Sequence, residues 1–533
     1  MTSKANIYPI FWVIVFNLII GVSFFAENVN VGFSHLATDQ LNILPVCMKF
    51  DDPSLFERDL FANSLDNVKY YTPFFVQPLR AIAYSTGGDY RSALNLLGLI
   101  LNVLYGLFWF LLFYKLSDRF WLSLLFALLL RAIIWLPGNE VWGIGDIWTV
   151  MPRTVYTTFM PVPFILLLST NKWKLLLSCF LIGFVFNFHP ITGLGGLMVF
   201  LAIVGYGMVR KHKGHSFSFK DHLLGGSLIL LGMAPFVMTY FSKTTSTLSY
   251  DPSLYLEAFN LRIDEAFQDP VKFVAQWFKV KYVLILSPIV LYLLYSIKAK
   301  EERKRSIFLT LLALALVILP SASVYLEQFV NTSFDANFRM SFQLIRIQKM
   351  IILPAFFALF FLSMAILDHF KITDRPTRTT FLLSILLLAV CHHPILNKLP
   401  FIGDDSARLM WPEHLSLFKG EDPKSRDSDK MADYIKAHTA PESLIVWSPM
   451  VRSATGRSVI MDGKGASMII EGNPKQLIDW YLDVKEYIAK QTFEERAAFF
   501  KSRDVDYFVS THDFAPHAKK VHTQGKFHLY KVL

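Results

Sequence analysis

The stretch "IYPIFWVIVFNLIIGVSFFA" (residues 7–26) contains no charged residue. Close behind it comes "SHLATDQLNILPVCMKFDDPSLFERDLF" (34–61), which carries Asp39, Asp51, Asp52, Glu57 and Asp59. A helix needs about 20 mostly apolar residues to cross a bilayer, so the first stretch reads as a membrane span. It is long and no A-x-A-like site follows, so it reads as a retained span rather than a removed signal. The second stretch is acidic yet patterned like a folded segment. A span that delivers the chain into a structured acidic loop points to a membrane protein with its chemistry at one surface.

The rest of the chain extends this reading. Its 533 residues are 53% hydrophobic and 18% charged, with 49 Phe, and the mean hydropathy is +0.40. Soluble domains carry about 25% charged residues. Further apolar runs lie at 92–114, 120–136, 154–170, 173–188, 192–209, 222–241, 282–297, 306–325, 350–367 and 379–395. With 7–26 they predict about 11 transmembrane helices. Residues 1–399 then form a membrane domain with a long external loop at 27–91 and another at 242–281. In the latter, apolar residues at helical spacing suit surface-lying helices.

The net charge of +10 would suggest nucleic acid in a soluble protein. Here it sits in short loops between spans: "YKLSDR" (114–119), "NKWK" (171–174), "RKHKGHSFSFK" (210–220), "KAKEERKR" (298–305) and "KITDRPTR" (371–378). These are every second loop, and the positive-inside rule places them in the cytoplasm. The N-terminus is then cytoplasmic, and an odd number of spans puts the C-terminus outside. Membrane lipid is the expected partner, and nucleic acid is not.

Residues 400–533 lack long apolar runs. Helices are expected at 428–438, 473–490 and 492–503, the last opening on a Thr492/Glu495 capping box. Strands are expected at 443–448, 457–462, 505–510 and 526–532. The result is a small α/β extracytoplasmic domain. Cys47, Cys179 and Cys391 are far apart and read as small buried hydrophobes. An outward domain without paired cysteines suits the bacterial inner membrane.

The candidate chemistry lies at the outer ends of spans. Asp39, in "ATDQ", follows the first span by about a dozen residues and suits a general base or a metal anchor. Asp59 is a second candidate, while Asp51 or Asp52 with Pro53 reads as a helix N-cap. The loop "PGNEVWGIGDIWTVMPR" (137–153) offers Asp146, Glu140 and Arg153, whose guanidinium suits phosphate. Arg131, inside a span, reads either as snorkelling outward or as a partner for a carboxylate or phosphate. His189, in the turn "NFHPITG" (187–193), could meet a phosphate or cap a helix. In "FDANFRMSFQLIR" (334–346), Arg339 and Arg346 share a face if the segment is helical. The adjacent His pair in "CHHP" (391–394) points apart on a helix and is not a zinc site.

These pieces together resemble the GT-C superfamily of polytopic membrane glycosyltransferases. The shared pattern is a first span, a long external loop with an early Asp, about eleven spans and an external C-terminal domain. The tail from "MADYIKAHTAPESLIVWSP" (431–449) through "GRSVIMD" (456–462) to "FFKSRDVDYFVS" (499–510) is similar to the external domains of bacterial relatives. The resemblance implies that Asp39 is the catalytic base or metal anchor and that Asp146, with Glu140 behind it, is the second acidic position. It also implies a polyprenyl-phosphate sugar donor, an extracytoplasmic acceptor and a single inverting displacement. A divalent metal, Mg or Mn, suits Asp39 and Asp146. Two other readings stand beside it. A transporter or flippase would show internal repeats and ionisable residues at the midplane. A non-catalytic scaffold would keep the fold without the site.

Overall fold

The computed structural model describes residues 7–29, 31–69, 72–133, 150–169, 171–210, 219–242, 249–334, 336–390, 411–417, 426–515 and 517–533. The chain divides into two compact units, each discontinuous in sequence. One comprises Met1–Asn28, Leu94–Phe236 and Ala266–Glu421, and the other Val29–Ala93, Val237–Glu265 and Asp422–Leu533. The second unit therefore takes in most of both long loops along with the C-terminal residues.

The first unit is helical. Each of the eleven apolar stretches carries helix among the described residues, but they differ in reach. Six helices among the described residues are long and apolar enough to cross a membrane: Pro9–Asn28, Tyr90–Ser117, Pro190–Gly207, Lys220–Phe241, Arg303–Phe334 and Ser341–His369. A bent pair, Pro270–Phe278 and Tyr282–Lys298, makes a seventh if it counts as one span. The expected span at 154–170 is broken into Pro152–Phe159 and Pro161–Leu167, because Pro161 and Pro163 lack the N–H groups a continuous helix needs. Lys172–Phe186 has 15 residues, and Phe120–Ile133 and Asp374–Val390 adjoin residues outside the description.

Phenylalanine and glycine explain how the unit packs. Phe113 meets Phe126, Phe356 and Phe360 with centroids 6.1, 5.9 and 4.8 Å away. Helices Lys172–Phe186 and Phe219–Phe241 approach backbone to backbone. A Cβ on Gly183 would stand 2.1 Å from the Ile229 carbonyl, and one on Gly232 would stand 2.4 Å from that of Phe180. Only small residues allow such contact. Pro235 interrupts the second of these helices, and Asn187 repairs the break. Its amide donates to the Gly232 carbonyl at 2.7 Å and accepts from Phe236 N at 2.8 Å. Backbone groups released inside a membrane protein need such partners.

The second unit holds a five-stranded sheet. Its strands are β1 (Leu444–Val446), β2 (Ser458–Val459), β3 (Tyr507–Ser510), β4 (Lys519–Gln524) and β5 (Phe527–Lys531), in the order β2-β1-β3-β5-β4. β1 runs parallel to β2 and β3, while β5 is antiparallel to β3 and β4. Adjacent strand residues serve opposite cores, as the pleat requires. Ile445 packs with Met431, Ile435, Val451, Val459 and Leu529. Leu444 packs with Phe499, Phe500, Phe508 and Tyr530. The Thr492 capping box is formed, with Glu495 N on Thr492 Oγ1 and Thr492 N on Glu495 Oε2, both at 3.1 Å.

The early acidic segment belongs to this unit. Residues Thr38–Asp51 form a helix, whose Leu41 packs on Ala432 and Met450. The residues after it do not continue as the expected Asp-capped helix. Residues 53–58 are turns, with Asp52 Oδ1 accepting from Ser54 N and Oγ at 2.9 and 2.6 Å. Phe56 has φ of 63°, the left-handed region that a helix excludes.

Candidate functional site

Asp39 lies in the first turn of the Thr38–Asp51 helix. One carboxylate oxygen is 2.6 Å from Lys464 Nζ, and the two side chains are 39% and 26% exposed. The lysine arrives on the short Gly463–Ile469 helix, whose first turn Asp462 caps through Lys464 N and Gly465 N, both at 2.8 Å. A third segment supplies Arg262, at the end of Pro252–Arg262. Its Nη2 donates to Ser467 Oγ. Burial lowers the Arg262 pKa, and the nearby Asp462 and Asp39 charges oppose that shift. Asn42, one turn beyond Asp39, is fully buried and donates to the Lys464 carbonyl at 3.2 Å. Three distant parts of the chain thus meet around the Gly463–Ile469 helix, whose Lys464 pairs with Asp39. Lys464, Arg262, Asn42 and Ser467 were not singled out in the sequence. Only the paired glycines of "DGKGA" (462–466) mark the lysine there.

Asp59, the second acidic candidate, has a different setting. It is buried beside Arg452 and Asp462. Its Oδ2 accepts from Arg452 Nε at 2.6 Å and Val459 N at 2.7 Å, and its Oδ1 accepts from Phe61 N and Ala62 N at 3.0 Å. Arg452 also donates to Asp462 at 2.5 Å and lies over the Phe61 ring at 4.6 Å. Burial works against the Arg452 charge, but Asp59 and Asp462 outweigh it and raise its pKa. A carboxylate with four donors has little capacity left for a substrate.

In the helical unit, Arg131 is fully buried. It donates to Asn102 Oδ1 at 2.8 Å, Asn17 Oδ1 at 2.6 Å and the Asn102 carbonyl at 3.0 Å. The Tyr105 ring lies 5.8 Å away. Each amide is oriented by its own helix, Asn17 Nδ2 on the Val13 carbonyl and Asn102 Nδ2 on that of Gly98. Gly106 makes room, since a Cβ there would fall 1.8 Å from Asn17 Oδ1. Arg131 does not snorkel and meets no carboxylate among the described residues. A small crevice lined by Phe24, Phe25, Asn28, Asn95 and Asn102 lies nearby in the same unit.

The remaining candidates have local partners of their own. Arg153 donates to Met151 Sδ at 3.6 Å. His189 Nδ1 accepts from Thr192 N at 3.2 Å and so caps the Pro190–Arg210 helix. Arg339 Nη1 donates to the Phe338 carbonyl at 2.7 Å. Arg346 Nη1 donates to Gln343 at 2.9 Å, with Phe267 4.4 Å below its guanidinium. Residues 336–340 are not helical, and Ile345–Ile351 is a 3₁₀ helix. The seven-residue spacing therefore does not put Arg339 and Arg346 on one helix face. Asp146 and Glu140 lie outside the described residues, as do Cys391 and the "CHHP" pair.

Among the described residues, no group of three or more His, Cys, Asp or Glu side chains could hold an ion, and the cation beside Asp39 is Lys464.

No family model matches the chain, and no curated protein matches it. Among solved structures it is similar to the oligosaccharyltransferase of Archaeoglobus fulgidus, crystallised with zinc and sulfate. The likeness covers 93% of this chain and 67% of that one, at 12% identity and a TM-score of 0.42.

Proposed function

We propose that the chain is a membrane glycosyltransferase that moves a sugar from a polyprenyl-phosphate donor to an extracytoplasmic acceptor, with Asp39 as general base. The observation that carries this reading is the convergence on Asp39. Lys464 pairs with it directly, while Asn42 and Arg262 hold the segment that carries Lys464, through its carbonyl and through Ser467; the loop charges assign these segments to the same, outer side. In the proposed step the acceptor oxygen attacks the anomeric carbon and its proton passes to Asp39. The bond from that carbon to the donor phosphate breaks, and the lipid phosphate leaves with the electron pair. One displacement inverts the anomeric centre. Asp39 pairs with Lys464, a contact that the incoming acceptor would displace. Arg153, His189, Arg339 and Arg346, in the helical unit, remain the proposed phosphate-binding residues on their chemistry alone. Arg131 is left out because its guanidinium is closed off by amides. The proposed location is the bacterial inner membrane, with the N-terminus cytoplasmic.

One observation favours a non-catalytic scaffold instead: Asp39 is already engaged by Lys464. The test is mass spectrometry of lipid-linked sugars and envelope glycans in cells lacking the gene, rescued by wild type or by Asp39→Asn. Accumulation of a polyprenyl-linked sugar that only wild type relieves supports the transferase. Equal rescue by both removes Asp39 from the chemistry. Unchanged glycans favour the scaffold or a transporter.

A further inference from the structure

One buried donor and one buried acceptor are left over beside Asp39. Among the described residues, Arg262 Nε donates to nothing and Asn42 Oδ1 accepts from nothing. Both belong to one hydrogen-bonded chain. Arg262 Nη2 donates to Ser467 Oγ, and that hydroxyl donates to the Lys464 carbonyl at 2.9 Å. Asn42 Nδ2 donates to the same carbonyl at 3.2 Å. Asn42 and Asp39 are three residues apart on one helix and so share a face. Buried polar atoms are rarely unpaired in native proteins, and exceptions mark places with another duty.

The charges decide what would fit. An anion would satisfy Arg262 but confront the Asp39 carboxylate and the Asn42 oxygen. A cation would satisfy Asp39 and Asn42 but confront Arg262 and the Lys464 ammonium. A hydroxyl matches both leftovers in kind, because its oxygen can accept from Arg262 Nε and its hydrogen can go to Asn42 Oδ1. We propose that Asn42 and Arg262 form a hydroxyl-reading subsite beside Asp39 for a polyhydroxylated ligand, a sugar ring. Lys464, partly exposed on a flexible four-carbon stem, is the wall that moves aside to admit it. The proposal rests on taking the surroundings of Asp39 as a substrate site.

The test uses the full chain in lipid nanodiscs and saturation-transfer NMR. The probes are free hexoses and N-acetylhexosamines, with inorganic pyrophosphate as the anion control. At least one sugar is expected to bind the wild type. Asn42→Ala, and Arg262→Lys, which keeps the charge but lacks Nε, each weaken that binding roughly three- to tenfold. A deoxy sugar lacking the hydroxyl read here loses a similar factor against wild type and little more against the variants. Thermal melts of each variant separate lost binding from lost fold. Absence of sugar binding to wild type overturns the proposal, as does binding indifferent to both variants. Pyrophosphate binding that Arg262→Lys preserves, with no sugar bound, makes this an anion site instead. If sugar binding depends on both residues while Asp39→Asn still rescues the glycans, the subsite stands and transfer at Asp39 falls.

Discussion

Arg452 and Arg131 are both closed off from solvent, and the two units hold them by opposite means. In the sheet-bearing unit, Arg452 sits between the carboxylates of Asp59 and Asp462. In the helical unit, Arg131 has two Asn side chains, a carbonyl and an aromatic ring, and no carboxylate among the described residues. The first arrangement joins opposite charges, one from nearby and one from far away in the sequence. The second surrounds one charge with dipoles that neighbouring helices already orient. The difference teaches where each unit keeps its tolerance. Removing one member of a charge pair strands the other, whereas removing a charge from a ring of amides strands only neutral oxygens.

The largest expected effect follows from the first arrangement. Asp59→Ala leaves Arg452 with one carboxylate and exposes three backbone N–H groups, of Phe61, Ala62 and Val459, to an empty site. Breaking a buried pair typically costs about 3–5 kcal/mol. Chemical denaturation followed by Trp fluorescence in detergent should show the sheet-bearing unit failing first, with Arg452→Met close behind. Arg131→Met is expected to cost less, about 1–3 kcal/mol, the penalty for the Asn17 and Asn102 oxygens it leaves unpaired. A loss as large as that of Asp59→Ala would erase the distinction between the two units. It would mean that the amide ring depends on its charge no less than the carboxylates do.

A third prediction sets two carboxylates of one loop against each other. Asp39 is partly exposed and paired with Lys464, and such pairs contribute about 0–1 kcal/mol. Asp39→Asn should therefore leave the denaturation midpoint nearly unchanged while abolishing sugar transfer. Equal destabilisation by Asp39→Asn and Asp59→Ala would make both structural. In sequence these residues look alike, and nothing local separates them. Asp59 is fixed by Arg452, 393 positions away, and Asp39 by a lysine at 464. Long apolar runs, by contrast, betray helices directly, because length and hydropathy are local properties. The capping box at Thr492 is legible for the same reason. β4 is not, since "KKVHTQ" (519–524) is a sheet edge with mostly exposed residues and lacks the alternation that marks a half-buried strand. The turn after Asp52 is likewise hidden, because Phe56 takes a left-handed conformation that its residue type does not announce.

The smallest effect concerns pH and the other end of the acidic segment. His35 lies beside Ser34, whose N and Oγ both donate to Asp429 at 2.9 and 2.5 Å. Burial lowers the His35 pKa first, Arg426 lowers it further, and Asp429 partly offsets them. The folded state thus prefers the neutral imidazole, whereas the unfolded chain titrates near the ordinary value of about 6.5. The unfolded state binds the extra proton, so stability from this group is intact above about pH 6.5 and is lost as pH falls toward the lower folded pKa. Arg426 and Asp429 are the charged groups that act on His35, and both belong to the same unit. Melting temperatures of wild type and His35→Gln should therefore coincide in mild alkali and diverge below about pH 6.5, with wild type losing more. A parallel decline in both would trace the acid sensitivity to groups elsewhere. It would leave His35 as a packing residue, fixed in place like Asp59 and with no part in how the unit responds to protons.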